Sequence, residues 1–279
     1  MSEKSTCVVF GDLRYAVFGA FAKFPAGMPG KLSGGAVDSK GNLHICQRAD
    51  PPVLVFDKQG AFVRSYGEGA IVEPHAISIT PDDRVLVVDR DGHQVVAFDL
   101  SGRVLFTLGT RGEPHQGAPF SHPTDVAVGP NGDLYVSDGY GNTMIHQFSA
   151  DGKLKRSWGE PGDGPGQFST PHGIAVLDDG RVLAGDRENN RIQIFDPDGE
   201  YLTEWKHFYH PMDIYADGKG LVFIGDQRPG VHARREDGTI VGRSKPAVAM
   251  PHGLAGDRDG TLYIIDSYNP QVARLTPVA

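Results

Sequence analysis

One phrase recurs along this chain: an apolar strand, usually an Asp–Gly or Asn–Gly turn, and a second apolar strand that ends in aspartate. Clear copies are DVAVGPNGDLYVSD and GLAGDRDGTLYIID, and a less regular first copy, GAVDSKGNLHICQR, closes on glutamine instead. The closing residues lie 40 to 49 positions apart, at Gln47, Asp89, Asp138, Asp186, Asp226 and Asp266. Six such copies indicate a repeat architecture, because one copy cannot bury its apolar face alone.

The segments that follow each pair of strands define the type of repeat. The short turn between the paired strands is typical of a hairpin. A third strand follows, as in MIHQFSA and RIQIFDP, and then a fourth, as in GEYLTEW. Repeats of this length with four short strands are typical of propeller blades, and no segment has a sustained helical period of apolar residues. The sequence therefore predicts an all-β fold, a six-bladed β-propeller, with a sandwich or a large barrel as the alternative.

We expect a single domain over residues 1–279, since no linker interrupts the repeats. The last copy lacks a fourth strand after Leu275. The N-terminal stretch around Tyr15–Phe21 is apolar enough to supply that strand and close the ring. The predicted architecture is thus one propeller whose last blade is completed by the N-terminus.

The charge balance excludes several kinds of partner. The formal net charge is −8, so the chain lacks the basic surface with which proteins bind nucleic acid or an anionic membrane. Two cysteines, Cys7 and Cys46, are too few for a disulfide framework or a cysteine-based zinc site. No secretory leader and no run of 18 apolar residues occurs. We therefore expect a cytoplasmic monomer.

One position of the repeat is occupied by histidine in every second copy. Fourteen residues before each closing residue, at the start of the first strand, lie Ser33, His75, Thr124, His172, Met212 and His252. The histidines fall in blades two, four and six, so innermost first strands would bring them together about one channel at about 120° intervals. Three imidazoles with an open fourth position are the ligand set of a catalytic zinc site, and imidazole also suits other divalent transition metals.

The turn after each closing residue is the second position that varies. In an antiparallel blade this turn lies at the same rim as the start of the first strand. Its first residues include Arg48, Arg90 and Arg187, and the third blade adds Tyr140. Because guanidinium binds a carboxylate through two parallel hydrogen bonds, these residues predict a small-molecule or peptide substrate that bears a carboxylate.

Several of these segments together resemble a known family, the peptidyl-α-hydroxyglycine α-amidating lyases, which are propellers of NHL-type repeats. The resemblance extends from about Gly34 to Leu275 and is carried by EPHAISI, HPTDVAV, YVSDGYGNTMIHQFS, SWGEPGDGPGQFSTPHGIAV, AGDRENNRIQIF and MPHGLAG. It implies zinc ligands at the three alternating histidines and a base at the tyrosine of the DGY motif. It also implies assisting arginines in the HR and DREN motifs. In this sequence those residues are His75, His172, His252, Tyr140, Arg48 and Arg187.

Two positions depart from the pattern of that family. The DGYCN motif is DGYGN here, with Gly141 in place of a disulfide cysteine, in keeping with a reducing compartment. The aspartate that helps to bind a structural calcium after the third histidine is Gly253. Zinc is the cofactor that the resemblance implies, whereas glycine at position 253 argues against calcium.

The resemblance implies cleavage of a carbinolamide, R-CO-NH-CH(OH)-COO⁻, to an amide and glyoxylate. In that chemistry a metal lowers the pKa of the substrate hydroxyl and a base removes its proton as the C–N bond breaks. We expect Tyr140 to act as this base, Arg48 to assist it and Arg187 to hold the carboxylate. Two alternatives remain: a metal-dependent hydrolase of a lactone or amide, and a non-enzymatic NHL scaffold that binds a partner on its rim.

Overall fold

The computed structural model describes residues 6–246 and 248–278. Over these ranges the blade strands form six sheets around a central channel, and no helix is present. The predicted all-β six-bladed propeller is confirmed. No helix within the described part of the chain is long and apolar enough to cross a membrane.

The described part of the chain begins with two strands that belong to the last blade and continues with blades one to three. The N-terminal strands are β1 (Thr6–Phe10) and β2 (Leu13–Phe18). Blade one contains β3 (Leu32–Val37), β4 (Leu43–Gln47), β5 (Val53–Phe56) and β6 (Phe62–Tyr66). Blade two contains β7 (Pro74–Ile79), β8 (Val85–Asp89), β9 (Gln94–Phe98) and β10 (Val104–Gly109). Blade three contains β11 (Asp125–Val128), β12 (Leu134–Asp138), β13 (Met144–Phe148) and β14 (Leu154–Trp158).

A short parallel pair precedes blade four, and blades five and six complete the ring. The pair is β15 (Glu160–Pro161) and β16 (Gln167–Phe168). Blade four contains β17 (Pro171–Val176), β18 (Val182–Asp186), β19 (Arg191–Phe195) and β20 (Tyr201–Trp205). Blade five contains β21 (Pro211–Ala216), β22 (Leu221–Asp226), β23 (Gly230–Arg235) and β24 (Ile240–Ser244). Blade six contains β25 (Pro251–Gly256), β26 (Leu262–Asp266) and β27 (Gln271–Pro277).

Blade six is completed by the N-terminal strands. Strand β2 runs antiparallel to β27, with Val17 opposite Leu275. Strand β1 adds a fifth strand outside β2 and packs Phe10 against Phe223 of blade five, with ring centroids 5.8 Å apart. The first and the last of the described strands thereby lie in one sheet.

The apolar core lies between neighbouring blades. The second and third strands are largely buried, and those of blade two, Val85–Asp89 and Gln94–Phe98, are buried along their whole length, because both of their faces pack against adjacent sheets. One cluster joins Ile77 and Val87 of blade two to Val55 of blade one. Burial of β-branched and aromatic side chains in these layers is the main stabilising contribution to the fold.

The closing aspartates stabilise the turns at the rim through hydrogen bonds to the backbone. Asp89 accepts hydrogen bonds from the backbone N–H groups of Val72 and Glu73 at 2.8–3.0 Å and from the side chain of Gln94 at 2.7 Å. Asp266 accepts equivalent bonds from the N–H groups of Ala249 and Met250. These bonds fix the loop that leads into each first strand, where the candidate site begins.

Candidate metal centre and catalytic site

A β-bulge at the start of the first strand turns each candidate histidine towards the channel. In blade two, Pro74 pairs with Asp89 and the next paired residue is Ala76, so His75 has no residue opposite it. The same irregularity follows the proline before His172 and the proline before His252. A bulge bends the strand and redirects the side chain of the extra residue. The bulge is a feature of this repeat position, since blade five has it between Pro211 and Asp213, and in blades two, four and six the residue that it redirects is a histidine.

The three histidines meet in the channel as the alternation in the sequence predicts. Their ring centroids lie 4.9, 5.0 and 5.2 Å apart. The candidate ligand atoms lie within 4.8 Å of one another, and among the described residues this is the group of His, Cys, Asp and Glu side chains that could hold a metal ion. All three side chains are buried, with exposed fractions of 1%, 2% and 6% for His75, His172 and His252.

Hydrogen bonds to the backbone fix the tautomer of each imidazole. In every case Nδ1 lies 2.6–2.7 Å from a carbonyl oxygen of the next blade. The pairs are His75 with Thr124, His172 with Met212 and His252 with Ser33. A carbonyl only accepts, so Nδ1 carries the proton and Nε2 presents its lone pair.

This donor set fits a divalent transition metal such as zinc. Metal-bound histidines commonly donate their second ring N–H to a backbone carbonyl, which orients the ring. Burial lowers the pKa of His75 and of His172 well below the ordinary value, with a further contribution from the neighbouring imidazoles, and burial lowers the pKa of His252 to about 3. Three neutral imidazoles therefore converge at neutral pH, which is the form that binds metal.

Tyr140 brings its hydroxyl to the same point. Its Oη lies 3.1 Å from Nε2 of His75 and 3.0 Å from Nε2 of His172. The guanidinium carbons of Arg90 and Arg187 lie 5.8 and 5.7 Å from its ring centroid. Burial raises the pKa of the Tyr140 hydroxyl, whereas Arg187, Arg48 and Arg90 act to lower it.

Arg187 is largely occupied by an acidic neighbour. Its Nε and Nη2 donate to one carboxylate oxygen of Glu188 at 2.8 and 2.6 Å. The remaining Nη1 donates to Oη of Tyr140 at 3.4 Å. The other carboxylate oxygen of Glu188 lies 3.3 Å from Nε2 of His210. Arg187 is thereby held against Tyr140 by the turn that carries it.

Arg48 keeps unused hydrogen-bonding capacity beside the tripod that the three channel histidines form. Its Nη1 contacts Glu73 at 3.4 Å, and the same oxygen of Glu73 accepts a shorter bond, 2.8 Å, from Arg90. Among the residues that the structure describes, Nε of Arg48 is buried without a hydrogen-bond partner. Burial and the charge of Arg90 lower the pKa of Arg48. Such a group is stabilised by a bound anion.

The acidic residues that pair with these arginines, Glu73 and Glu188, are not marked by the repeat pattern of the sequence. Glu73 precedes a Pro-His pair and Glu188 lies in the DREN motif, so each sits next to a residue already singled out. Which arginine each one neutralises depends on side-chain geometry across the rim, which repeat spacing does not encode. His210, two residues before Met212, contacts Glu188 and not the metal-binding group.

The two glycines that depart from the family pattern are both tightly enclosed. A Cβ at Gly141 would lie 2.1 Å from Oγ of Ser121, and a Cβ at Gly253 would lie 2.9 Å from Cα of Gly34. A cysteine or aspartate at these positions would therefore require the neighbouring chain to move.

Three other histidines have structural partners. His44, His146 and His232 are buried and bond to acidic side chains, with distances of 3.4, 3.2 and 2.8 Å to Asp38, Asp138 and Asp226. These histidines thus form hydrogen-bonded pairs inside the blades, away from the three channel histidines.

Comparisons with known proteins find similarity to NHL repeats and to amidating enzymes. The NHL repeat family matches residues 120–148 and 168–195. The peptidylglycine alpha-amidating monooxygenase of Rattus norvegicus is 34% identical over 298 residues, a match that covers 89% of this chain and 30% of that protein. The peptidyl-alpha-hydroxyglycine alpha-amidating lyase 1 of Drosophila melanogaster is 36% identical over 240 residues, covering 74% of this chain and 44% of that protein. The chain thus spans less than half the length of these two relatives.

A further relative has a name without an activity. The NHL repeat-containing protein 3 of Homo sapiens is 32% identical over 273 residues, which cover 87% of this chain and 78% of that protein. Solved structures with the same fold include a streptogramin B lyase, with a TM-score of 0.69 and 14% identity over 97% of this chain and all of that chain. Another is the gluconolactonase XC5397 of Xanthomonas campestris, with a TM-score of 0.73 and 16% identity over 96% of this chain and 91% of that chain.

The fold and the repeats define the class of the protein, which is a six-bladed propeller of NHL repeats with three histidines converging in its channel. Within that class, the chain belongs to the NHL-repeat family that includes the peptidyl-alpha-hydroxyglycine alpha-amidating lyases.

Proposed function

We propose that this chain is a metal-dependent lyase that cleaves the C–N bond of an α-hydroxyglycine derivative, giving an amide and glyoxylate. One observation carries the proposal. Three imidazoles present Nε2 to one point, and the hydroxyl of Tyr140 lies within 3.1 Å of two of those nitrogens. A ligand set and a proton-transfer group therefore share one small volume, as this reaction requires.

The metal would be held by His75, His172 and His252, and zinc is the element that this donor set suits best. When bound, such an ion supplies a Lewis acid that lowers the pKa of nearby hydroxyl groups, including that of the substrate. The proposal for these ligands is supported by their fixed Nδ1–H tautomers and by their burial.

Tyr140 would move the proton. In its phenolate form it takes the proton from the substrate hydroxyl while the oxygen electrons form the C=O bond of glyoxylate. The C–N bond breaks, its electron pair goes to the nitrogen, and the proton returns to that nitrogen to complete the amide. Arg187 donates to the phenolic oxygen and Arg90 lies near the ring, so both favour the anionic form by charge.

Arg48 would bind the substrate carboxylate. Its Nε is buried and unpartnered among the described residues, and Glu73 is shared with Arg90. Arg187, by contrast, uses Nε and Nη2 on Glu188 and Nη1 on Tyr140. These contacts favour a division of roles opposite to the one that the sequence suggests: Arg48 for the carboxylate and Arg187 for the base.

Metal content and glyoxylate release together test the proposal. The purified protein is stripped with a chelator, reloaded with zinc and offered N-acyl-α-hydroxyglycines, with a no-protein blank for spontaneous breakdown. Metal-dependent glyoxylate formation in a one-to-one ratio with amide supports a lyase. Hydrolysis of lactones or simple amides without glyoxylate would indicate the hydrolase alternative. Absence of both metal and turnover would indicate a binding scaffold, an outcome relevant because one relative is named only for its NHL repeats.

A further inference from the structure

The first strand of each odd-numbered blade accepts a hydrogen bond from the histidine of a neighbouring even-numbered blade. Carbonyl groups of Ser33, Thr124 and Met212 accept the Nδ1–H bonds already described. The residue that follows each of these is Gly34, Asp125 and Asp213. Two of the three are therefore carboxylates beside the tripod, in positions for which the proposed reaction has no role.

Each carboxylate joins two blades. Asp125 of blade three accepts a bond from the N–H of Ile174 in blade four at 2.9 Å. Asp213 of blade five accepts one from the N–H of Leu254 in blade six at 2.6 Å. Ile174 and Leu254 lie two residues after His172 and His252, just beyond the bulges that aim those imidazoles. The bonds thus fix the backbone at the point where each histidine leaves the regular ladder.

Both oxygens of each carboxylate are used. The second oxygen of Asp125 accepts from the N–H of Val126 at 2.8 Å, and that of Asp213 accepts from the N–H of Ile214 at 2.8 Å. Every partner is a backbone donor, so an amide side chain could satisfy one N–H but would set its own NH₂ group against the other. The side chains line a channel cavity of about 390 Å³ on whose wall the histidines also lie.

The backbone around these bonds is closely packed. A Cβ at Gly173 would lie 2.8 Å from Cα of Asp213, and one at Gly253 would lie 2.9 Å from Cα of Gly34. In blade one, where glycine replaces the carboxylate, a Cβ at Gly34 would lie 3.0 Å from Cα of Ala76. Direct backbone contact there takes the place of the side-chain bond, so the strand of His75 is held differently from the other two.

We propose that Asp125 and Asp213 are positioning residues of the metal centre, which hold the strands of His172 and His252 through hydrogen bonds between blades. The inference rests on the proposed function, since it takes the three histidines to be metal ligands. Residues behind metal ligands typically change metal affinity by 10- to 100-fold when they are replaced. The two carboxylates would act in this way on two of the three ligands.

Metal affinity of the full chain tests the proposal. We expect Asp125→Asn and Asp213→Asn to weaken zinc binding by about 10- to 100-fold in a chelator competition. The matched control is Asp133→Asn, a buried carboxylate that bonds Gln147 and Lys155 in blade three and does not line the channel. It should lower the thermal midpoint of unfolding and leave zinc affinity unchanged. Cobalt-loaded protein gives a second readout, because a displaced imidazole changes the visible absorption bands of the ion.

Two further arrangements keep the test decisive. Should an asparagine variant not fold, Asp213→Ala removes the acceptor without adding a donor, and amide exchange at Leu254 reports the lost bond directly. Folded variants that bind zinc as tightly as wild type with unchanged cobalt spectra would overturn the positioning role while leaving the metal centre intact. A wild-type chain that binds neither zinc nor cobalt would overturn the proposed function, and this inference with it.

Discussion

The hydroxyl of Tyr140 lies 3.0 Å from Nε2 of His172. Because Nδ1 of that histidine donates to the carbonyl of Met212, Nε2 is the basic nitrogen, and the phenol is the group that donates to it. The same hydroxyl is 3.1 Å from Nε2 of His75. A substrate oxygen that entered this volume would therefore meet the phenolic oxygen within hydrogen-bonding distance.

Replacing Tyr140 with phenylalanine tests its proposed role in proton transfer. We expect bound metal and substrate affinity to be retained while kcat falls by about 10²- to 10⁴-fold, the usual contribution of a positioned acid–base group. Tyr268→Phe is the matched control, since Tyr268 follows Asp266 at the same turn position but is 77% exposed. Near-normal turnover of the Tyr140 variant with full metal would remove the phenol from the mechanism.

Replacing any one of His75, His172 and His252 with alanine should strip or greatly weaken the bound metal. Blade stability depends on the packing between sheets, so the far-ultraviolet circular dichroism spectrum should not change. His115→Ala, at an exposed loop position, is the control. Elemental analysis of the four purified variants checks the expectation, and stoichiometric metal in a triple variant would contradict it.

The division of roles between the two arginines is tested by a pair of lysine variants. Lysine lacks the planar fork of arginine, so Arg48→Lys should raise KM for carboxylate substrates by about tenfold or more, in line with the strength of charge-assisted hydrogen bonds. Arg187→Lys should mainly lower kcat, since its Nη1 contacts Tyr140. A methyl ester substrate should be insensitive to the first change. Equal effects of Arg48→Lys on acid and ester would reject the carboxylate role.

The repeats made the fold and the tripod predictable, because six copies allow one position to be compared with itself. His75, His172 and His252 stand out against Ser33 and Thr124 in the same slot, and the ring of blades turns that alternation into convergence. Features that occur once in the chain could not be found in this way. Strand β1, with Phe10 packed on blade five, has no counterpart in the other copies.

Contacts between blades could not be predicted from the sequence either. Asp125 and Asp213 resemble ordinary strand residues, and their backbone partners lie 49 and 41 positions away. The β-bulge that aims each histidine is visible only in the strand register. The contact of Arg187 with Glu188, on which the proposed exchange of roles between the two arginines rests, depends on rotamers that spacing does not determine.

The pH dependence of metal binding follows from the low pKa values of the three imidazoles. Burial lowers the pKa of His252 to about 3, and burial together with its neighbours lowers the pKa of His75 and of His172 well below the ordinary value. Imidazoles that are already neutral at pH 5.5 have no proton to release, so zinc affinity should change little between pH 7.5 and 5.5.

Zinc binding by the unfolded chain should depend much more strongly on pH. Histidines with ordinary pKa values near 6.5 would each have to lose a proton, so three of them would weaken binding by up to ~10³-fold per pH unit below that value. Equilibrium dialysis against zinc at several pH values, with and without urea, measures both cases. A fall of two or more orders of magnitude for the folded protein between pH 7 and 5.5, with its circular dichroism unchanged, would show that protons compete for the site. The imidazoles would then not be held neutral by burial, and the donor set would not be preorganised for metal binding.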